Sequence, residues 1–233
     1  MLINKIGFEH LFYGSNCQDF ALDLPGKKCV VDGCSQGLHS EIGSKLFVSL
    51  FEQGLDIDTI FGTLTKILSS QEQIKNYLLF TVLILEETEE DFVVHECGDG
   101  YIIKQTVANT LEYEKTDYGG APPYYAYNYI NKNKLSLYKD GVSFKIHRFS
   151  KDKYRAVGIA TDGIEYILKS PHALEFEKCL LARKPALIKR MINMNHNYQY
   201  AVNTLPQNIL LQYVPESYNN TACCFKDDIS IVI

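Results

Sequence analysis

The chain has 233 residues, of which 46% are hydrophobic and 22% are charged, which is the balance of an ordinary globular protein. Its formal net charge of −5 argues against nucleic acid as the main partner, because phosphate binding favours a basic surface. No stretch approaches the apolar length that crosses a bilayer, and no secretory signal is recognisable, so we expect a cytoplasmic monomer with no membrane partner.

The seven cysteines are odd in number, and no two of them are spaced C-x-x-C. This pattern argues against a disulfide framework and against a structural zinc site, and it indicates a reduced setting. The sequence shows no repeat, no low-complexity tract and no linker. We therefore expect a single domain that covers residues 1 to 233.

The first elements predicted along the chain are two helices and a group of strands. Apolar residues recur at helical spacing over 40 to 51 and over 57 to 74. Three apolar runs joined by short turns then cover 78 to 105. Connections this short cannot hold a crossover helix, so they predict an antiparallel meander.

The second half of the chain continues with strands before it returns to helix. Strand patterns cover 142 to 149 and 154 to 163, a helical pattern covers 171 to 195, and a last strand is predicted over 227 to 233. Blocks of helices and blocks of strands in this order predict an α+β fold, with helices packed outside sheet layers.

Residues 117 to 133, "DYGGAPPYYAYNYINKN", differ from the rest in composition. Five tyrosines lie between positions 118 and 129, and two glycines and two prolines precede most of them. Proline and glycine interrupt regular structure. The segment is either a surface loop whose tyrosines pack on a sheet edge or a flap that recognises substrate, since loops often carry recognition.

Aspartates recur at the ends of predicted strands. Asp32 and Asp162 each follow an apolar run and precede a glycine, and Asp227 and Asp228 stand at the start of the last strand. If these strands are neighbours, three or four like charges converge at one edge and need a cation. Hard divalent ions with oxygen ligands, magnesium or manganese, are the expected partners.

Two further aspartates have the same kind of position. Asp19 begins the first good strand pattern, and Asp99 precedes Gly100 in what we interpret as a hairpin turn. Asp-Gly is a common hairpin turn, so this pair is by itself no evidence for a ligand site.

The ordered motifs Q-D at 18–19, V-V-D-G at 30–33, G-D-G at 98–100, A-T-D-G at 160–163 and D-D-I-S at 227–230 resemble the PPM family. These are metal-dependent serine/threonine protein phosphatases of type 2C, and the compact loops look like those of short bacterial members. The resemblance implies a four-layer α-β-β-α sandwich. Two central antiparallel sheets are flanked by helices, with the metals at one end.

The resemblance also implies roles for individual residues. The implied metal ligands are Asp19, Asp32 as the bridging carboxylate, Gly33 through its carbonyl, Asp162 and Asp227, with Asp228 where the family usually has asparagine and Asp99 as a ligand of a third, weaker ion. Four features depart from the family pattern. Gln18 precedes Asp19 where members often carry glutamate, and Tyr166 falls where a ligand of the third ion is expected. No arginine precedes Arg148, and Cys34 stands where animal members have a histidine.

The activity implied by the resemblance is hydrolysis of phosphoserine or phosphothreonine by a hydroxide that bridges two Mn²⁺ or Mg²⁺ ions. The substrate would be a phosphorylated protein, and a serine/threonine kinase would oppose the reaction. Asp32 is the central catalytic residue. His39, beside the D-G loop, is a candidate proton donor, and the alternative is a helix-start histidine that faces solvent.

Three other functions are compatible with the sequence. A pseudophosphatase could bind a phosphorylated partner without hydrolysing it. A phosphatase could act on a small phosphorylated metabolite. A structural protein could use the aspartates only as strand caps, but chance would not place five such motifs in this order.

Overall fold

The computed structural model describes residues 1–7, 10, 14–131, 135–170, 172–194 and 227–233. The strands are β1 (Leu2–Lys5), β2 (Asp19–Leu24), β3 (Lys27–Gly33), β4 (Phe80–Glu87), β5 (Asp91–Cys97), β6 (Gly100–Thr106), β7 (Leu111–Thr116), β8 (Lys145–Ser150), β9 (Tyr154–Ala160) and β10 (Ile229–Val232). The helices are α1 (Ser40–Glu52), α2 (Ile57–Ile67), α3 (Gln71–Leu78), α4 (Glu165–Leu168), α5 (Ala173–Leu181) and α6 (Pro185–Met194), with short 3-10 helices at Tyr125–Tyr129 and Asp162–Ile164.

The strands form two five-stranded sheets in which every pairing is antiparallel. One sheet has the order β1-β10-β9-β6-β7 and the other has the order β2-β3-β4-β5-β8. Side chains such as Val30, Leu83 and Ile159 fill the space between the sheets. Burial of this apolar surface is what holds the two sheets face to face.

Helices cover both outer faces of the sandwich. Phe47 of α1 and Phe61 of α2 pack their rings 5.4 Å from the ring of Phe80 on β4. On the other face, Phe176 of α5 and Ile188 of α6 join the core of the β1-containing sheet. The predicted four-layer α-β-β-α fold is therefore confirmed. No helix in the described part of the chain has the length and apolar character needed to span a membrane.

The predicted meander over 78 to 105 is wrong in one respect. β4 and β5 are neighbours, but β6 belongs to the opposite sheet, where it pairs with β7 and β9. The turn at Gly98 and Asp99 therefore crosses between sheets and is not a hairpin. Gly98 has a φ of +109°, and a Cβ there would lie 2.5 Å from the Thr81 side chain. This crossing carries Asp99 to one end of the sandwich.

The predicted helices also differ in their boundaries. The helix expected over 57 to 74 is two helices, because Ser70 caps a new one by accepting a hydrogen bond from Gln73 N (3.2 Å). The helix expected over 171 to 195 is likewise divided, and Arg183 between the two parts has a φ of +48°. Residues 171 and 195 themselves lie outside the described residues. Strands β1 and β7 were not predicted.

Candidate active site

Two of the predicted acidic residues face each other across neighbouring strands. The register of β2 and β3 places Asp19 opposite Asp32, so the two side chains are direct cross-strand neighbours. Burial and then the charge of Asp228 raise the pKa of Asp19, while burial and then the charge of Asp19 raise the pKa of Asp32. The pair is stable only if it binds a proton or a cation.

A second pair comes from the adjoining sheet. Asp162 begins the turn after β9, and Asp227 lies just before β10, the antiparallel neighbour of β9. The two segments approach closely, since a Cβ on Gly163 would lie 1.9 Å from the Asp228 carbonyl oxygen. Burial and the charge of Asp227 raise the pKa of Asp162 to about 6.

Asp99, on the crossing between the sheets, has a partner from the tyrosine-rich segment. One of its carboxylate oxygens accepts a hydrogen bond from Tyr118 N at 2.9 Å. Burial is the main cause of its raised pKa, and the charge of Asp117 raises it further. Asp99 lies at the same end of the sandwich as the other aspartates. Its carboxylate already accepts one hydrogen bond from the protein.

These residues surround a cleft of about 220 Å³. Its lining consists of Gln18, Asp32, Gly33, Cys34, Ser35, Gln36, Thr81, Asp99, Gly120, Pro122, Tyr124, Asp162 and Asp227. Among these lining residues there are four carboxylates and no lysine, arginine or histidine. The cleft is therefore acidic, without a basic side chain to offset its charge.

Asp19 lies behind this lining, buried and held in place by Thr161. The Thr161 hydroxyl donates to an Asp19 carboxylate oxygen at 2.5 Å and accepts from Ser230 N at 2.9 Å. One buried side chain thus connects β2 to the ends of β9 and β10. The sequence analysis did not single out Thr161, although its place before Asp162-Gly163 could have drawn attention to it.

Asp228 has a different role from its neighbour. Its carboxylate accepts hydrogen bonds from Gly7 N at 2.6 Å and Gln18 N at 2.5 Å, and it pairs with His10 Nδ1 at 2.9 Å. Although burial raises its pKa, the bonds from His10 and the two amides lower it below the ordinary value. Asp228 does not line the cleft, and this placement does not support the ligand role predicted for it.

His39 is not brought into the cleft either. It is exposed at the N-cap position of α1, with its ring 4.9 Å from that of Tyr77. The neighbouring Ser40 hydroxyl accepts from Gln18 Nε2 (2.9 Å) and donates to the Cys34 carbonyl (2.8 Å). Ser40 therefore holds the loop that follows β3, and the geometry favours the solvent-facing alternative for His39.

The tyrosine-rich segment packs against the body and also lines the cleft. Gly120, Pro122 and Tyr124 contribute to the lining. Farther along, the Tyr125 hydroxyl donates to a carboxylate oxygen of Asp58, in the first turn of α2, at 2.5 Å. The segment thus combines both alternatives considered for 117 to 133, of which residues 132 and 133 lie outside the described residues.

The donor set fits hydrated divalent cations. Within the described residues, no three His, Cys, Asp or Glu side chains are close enough together to hold an ion by themselves. Mg²⁺ typically uses one or two carboxylates and keeps several waters, so a site for it does not require three such side chains close together. Thr81, opposite Asp32 on β4, has a buried hydroxyl without a hydrogen-bond partner. The lining therefore offers oxygen ligands and a polar group for a bound water.

Comparison with known proteins relates this architecture to one class of enzymes. A bacterial serine phosphatase superposes with a TM-score of 0.57 at 12% identity, over 99% of this chain and 94% of that one. Serine/threonine phosphatase Stp1 from Staphylococcus aureus gives 0.55 at 13% identity, over 99% and 92%. The catalytic domain of serine/threonine protein phosphatase PstP, in complex with two manganese ions, gives 0.53 at 10% identity, over 99% and 94%.

The chain thus has the fold of the bacterial serine/threonine phosphatases, as the resemblance to the PPM family implied. No protein-family model and no curated protein sequence matches it. At these identities the likeness establishes the fold, and the function must be argued from the residues of the cleft.

Proposed function

We propose that the protein is a PPM-type, metal-dependent phosphatase that hydrolyses phosphoserine or phosphothreonine in proteins. One observation carries the proposal. Carboxylates from five separate segments of the chain meet at one end of the sandwich, around a cleft whose described lining has no basic side chain. Proteins place several like charges together in a partly buried site only where a ligand or a proton compensates for them.

Some residues of the chain would bind the ions directly, and others would support those ligands. Asp32, Asp162 and Asp227 line the cleft and are the ligands open to it. Asp19 adds its charge from behind, and the Gly33 carbonyl is the remaining oxygen donor. When bound, two divalent ions would acidify a water enough to make it a nucleophile and would offset the charge of the phosphoryl group.

Protein substrates are supported by the fold neighbours and by the form of the cleft. The neighbours are serine and serine/threonine phosphatases, and the PstP structure contains two manganese ions. The cleft is lined on one side by the tyrosine-rich segment. This side, formed by Gly120, Pro122 and Tyr124, offers a surface for the peptide that flanks a phosphorylated side chain.

The direct test is hydrolysis of a phosphothreonine peptide by the purified protein with Mn²⁺. We expect phosphate release that stops on chelation and returns when Mn²⁺ is added back. Parallel assays on small phosphate esters distinguish a protein phosphatase from a metabolite phosphatase. No release from any phosphate monoester, with intact Mn²⁺ binding, would contradict the proposal.

A second candidate is a pseudophosphatase that binds a phosphorylated partner without turnover. The observation that favours it is the absence of lysine, arginine and histidine from the described lining of the cleft. Calorimetry with Mn²⁺ helps to discriminate, because a protein that has lost catalysis is under no constraint to keep a tight metal site. Tight Mn²⁺ binding together with hydrolysis would exclude this candidate.

A further inference from the structure

A phosphate monoester in this cleft needs a hydrogen-bond donor from the protein. The sequence has no arginine before Arg148, and the described lining contains no cationic side chain. The phosphoryl oxygens carry charge that metal ions alone leave partly unsatisfied. The donor must therefore be a neutral side chain or a backbone amide of the lining.

Most neutral donors of the lining are already engaged or are not held in place. Gln18 Nε2 donates to Ser40, and Cys34 offers only a weak S–H donor. Ser35 and Gln36 are exposed on the loop after β3. None of these four is a fixed, strong donor that points into the cleft.

Two residues of the lining, Thr81 and Tyr124, are buried and carry a hydroxyl. Thr81 lies opposite Asp32 among the carboxylates, where its hydroxyl suits a metal-bound water, so Tyr124 is the donor left for a phosphoryl oxygen. Only 8% of its surface is exposed. Burial and then a hydrogen bond to the Cys34 side chain raise the pKa of Tyr124, and the nearby charge of Asp32 acts in the same direction. Tyr124, Cys34 and Asp32 all line the same cleft, so the Tyr124 side chain borders the space in which a phosphate monoester would bind.

The position of Tyr124 is fixed by its neighbours. Its carbonyl accepts a hydrogen bond from Tyr127 N at 2.9 Å, and its ring meets the Tyr127 ring edge-on at 5.4 Å. Ala126 beside it is completely buried. A donor held in this way loses little conformational entropy when it binds a ligand.

We propose that the Tyr124 hydroxyl donates a hydrogen bond to a phosphoryl oxygen of a phosphate monoester bound in the cleft, in the place of a cationic side chain. A hydrogen bond from a neutral hydroxyl to a charged phosphoryl oxygen is stronger than one to a neutral acceptor. As a substrate contact in hydrolysis, this role rests on the proposed function. The binding of inorganic phosphate can be measured without it.

The test compares Tyr124→Phe with Tyr125→Phe in the Mn²⁺-loaded protein. Both changes remove one hydroxyl from the same segment, but Tyr125 bonds to Asp58 and does not line the cleft. Calorimetry with inorganic phosphate should show a dissociation constant raised about 10- to 100-fold in Tyr124→Phe and unchanged in Tyr125→Phe. Mn²⁺ affinity should be the same in both variants as in the original protein.

The outcomes separate this inference from the proposed function. Unchanged phosphate affinity in Tyr124→Phe, equal losses in both variants, loss of Mn²⁺ binding in Tyr124→Phe, or no phosphate binding by the original protein would each overturn the role of Tyr124. If phosphate binds through Tyr124 but no ester is hydrolysed, the role stands and the phosphatase activity is contradicted. In an active enzyme, Tyr124→Phe should also raise KM for the phosphothreonine peptide.

Discussion

Two groups of carboxylates in this molecule differ in the partners that surround them. Glu96, 1% exposed on β5, accepts a hydrogen bond from the Tyr118 hydroxyl and pairs with His147 Nε2 at 2.5 Å. Asp19, 2% exposed, and the half-buried Asp32 instead lie opposite each other, and each has another carboxylate as its main charged neighbour. Glu96 is paired with a histidine, whereas the described lining of the cleft has no basic side chain, so the charge of its acids is left for a cation.

The same contrast separates two adjacent residues. Asp228 receives two backbone amides and His10, and its pKa is lowered. Asp227 lies in the cleft and raises the pKa of Asp162 by its charge. Neighbouring positions in the sequence thus differ in placement. Asp227 lines the cleft and accepts a hydrogen bond from Asp228 N at 2.9 Å, whereas Asp228 lies outside the lining.

The largest effect that follows from this contrast is loss of activity. Asp32→Asn or Asp162→Asn should lower Mn²⁺-dependent hydrolysis of p-nitrophenyl phosphate by at least about 1,000-fold, because each change removes a ligand charge from the cleft. Stability without metal should be kept, since each change also removes a like-charge repulsion. Asp152→Asn, at an exposed turn, is the matched control and should be fully active. Activity that survives both cleft changes would break the assignment.

Substitution of a buried acid that has protein partners should mainly lower the free energy of unfolding, with little effect on metal binding. Glu96→Gln weakens bonds from both Tyr118 and His147, so we expect a loss of about 1–3 kcal/mol in the free energy of unfolding by urea titration. Glu86→Gln, which alters more exposed pairs with Lys27 and His95, should cost less than about 1 kcal/mol. If Glu96→Gln is no more costly than Glu86→Gln, the contrast between the two groups of acids fails.

The stability of the metal-free protein should depend on pH, because like charges lie close together in the cleft. The raised pKa values of Asp19, Asp32 and Asp162 mean that the folded state holds more protons than the unfolded state above about pH 4. Stability from these groups is therefore lost as pH rises towards and through 6. Urea titrations in EDTA at pH 5 and 7.5 should give the lower stability at pH 7.5.

Two controls sharpen the pH experiment. In Asp162→Asn, whose original carboxyl titrates at about 6, the difference between the two pH values should shrink. Addition of Mn²⁺ at pH 7.5 should restore stability in the original protein, because the ion replaces the protons. Equal differences in the two proteins would show that other groups govern the pH dependence.

The smallest effect is expected at His39. A general acid contributes about 100- to 10,000-fold to rate, but this side chain is exposed and outside the cleft lining. We expect His39→Ala to change kcat and KM for the phosphothreonine peptide by less than about 2-fold. A loss of 100-fold or more would restore His39 as the proton donor.

The sequence was informative where a local pattern determines the position in space. An aspartate directly after an apolar strand must lie at the end of a sheet, and this placed Asp32 and Asp162 correctly. The sequence pattern gave the wrong structure at Gly98 and Asp99, because a two-residue hairpin and a two-residue crossing between sheets have the same turn residues. Only the pairing of β6 with β9 decides between them.

Other features depend on segments that are far apart in the chain. Asp228 meets Gly7 from more than two hundred residues away, so its neighbours could not be read from the D-D-I-S motif. Tyr124 was one tyrosine among five, and its place in the cleft follows from how the whole segment packs on α2 and β5. Thr161 depends in the same way on the approach of β2 and β10.

The most direct test of the account is a calorimetric titration of chelator-treated protein with Mn²⁺ at pH 7.5. We expect saturable binding to two sites in the original protein. Binding should be lost or severely weakened in Asp32→Asn, because the Asp32 carboxylate lies among all the other acids of the cleft. No binding, or binding of the same stoichiometry and affinity in Asp32→Asn, would contradict the claim that these converging acids exist to hold divalent ions.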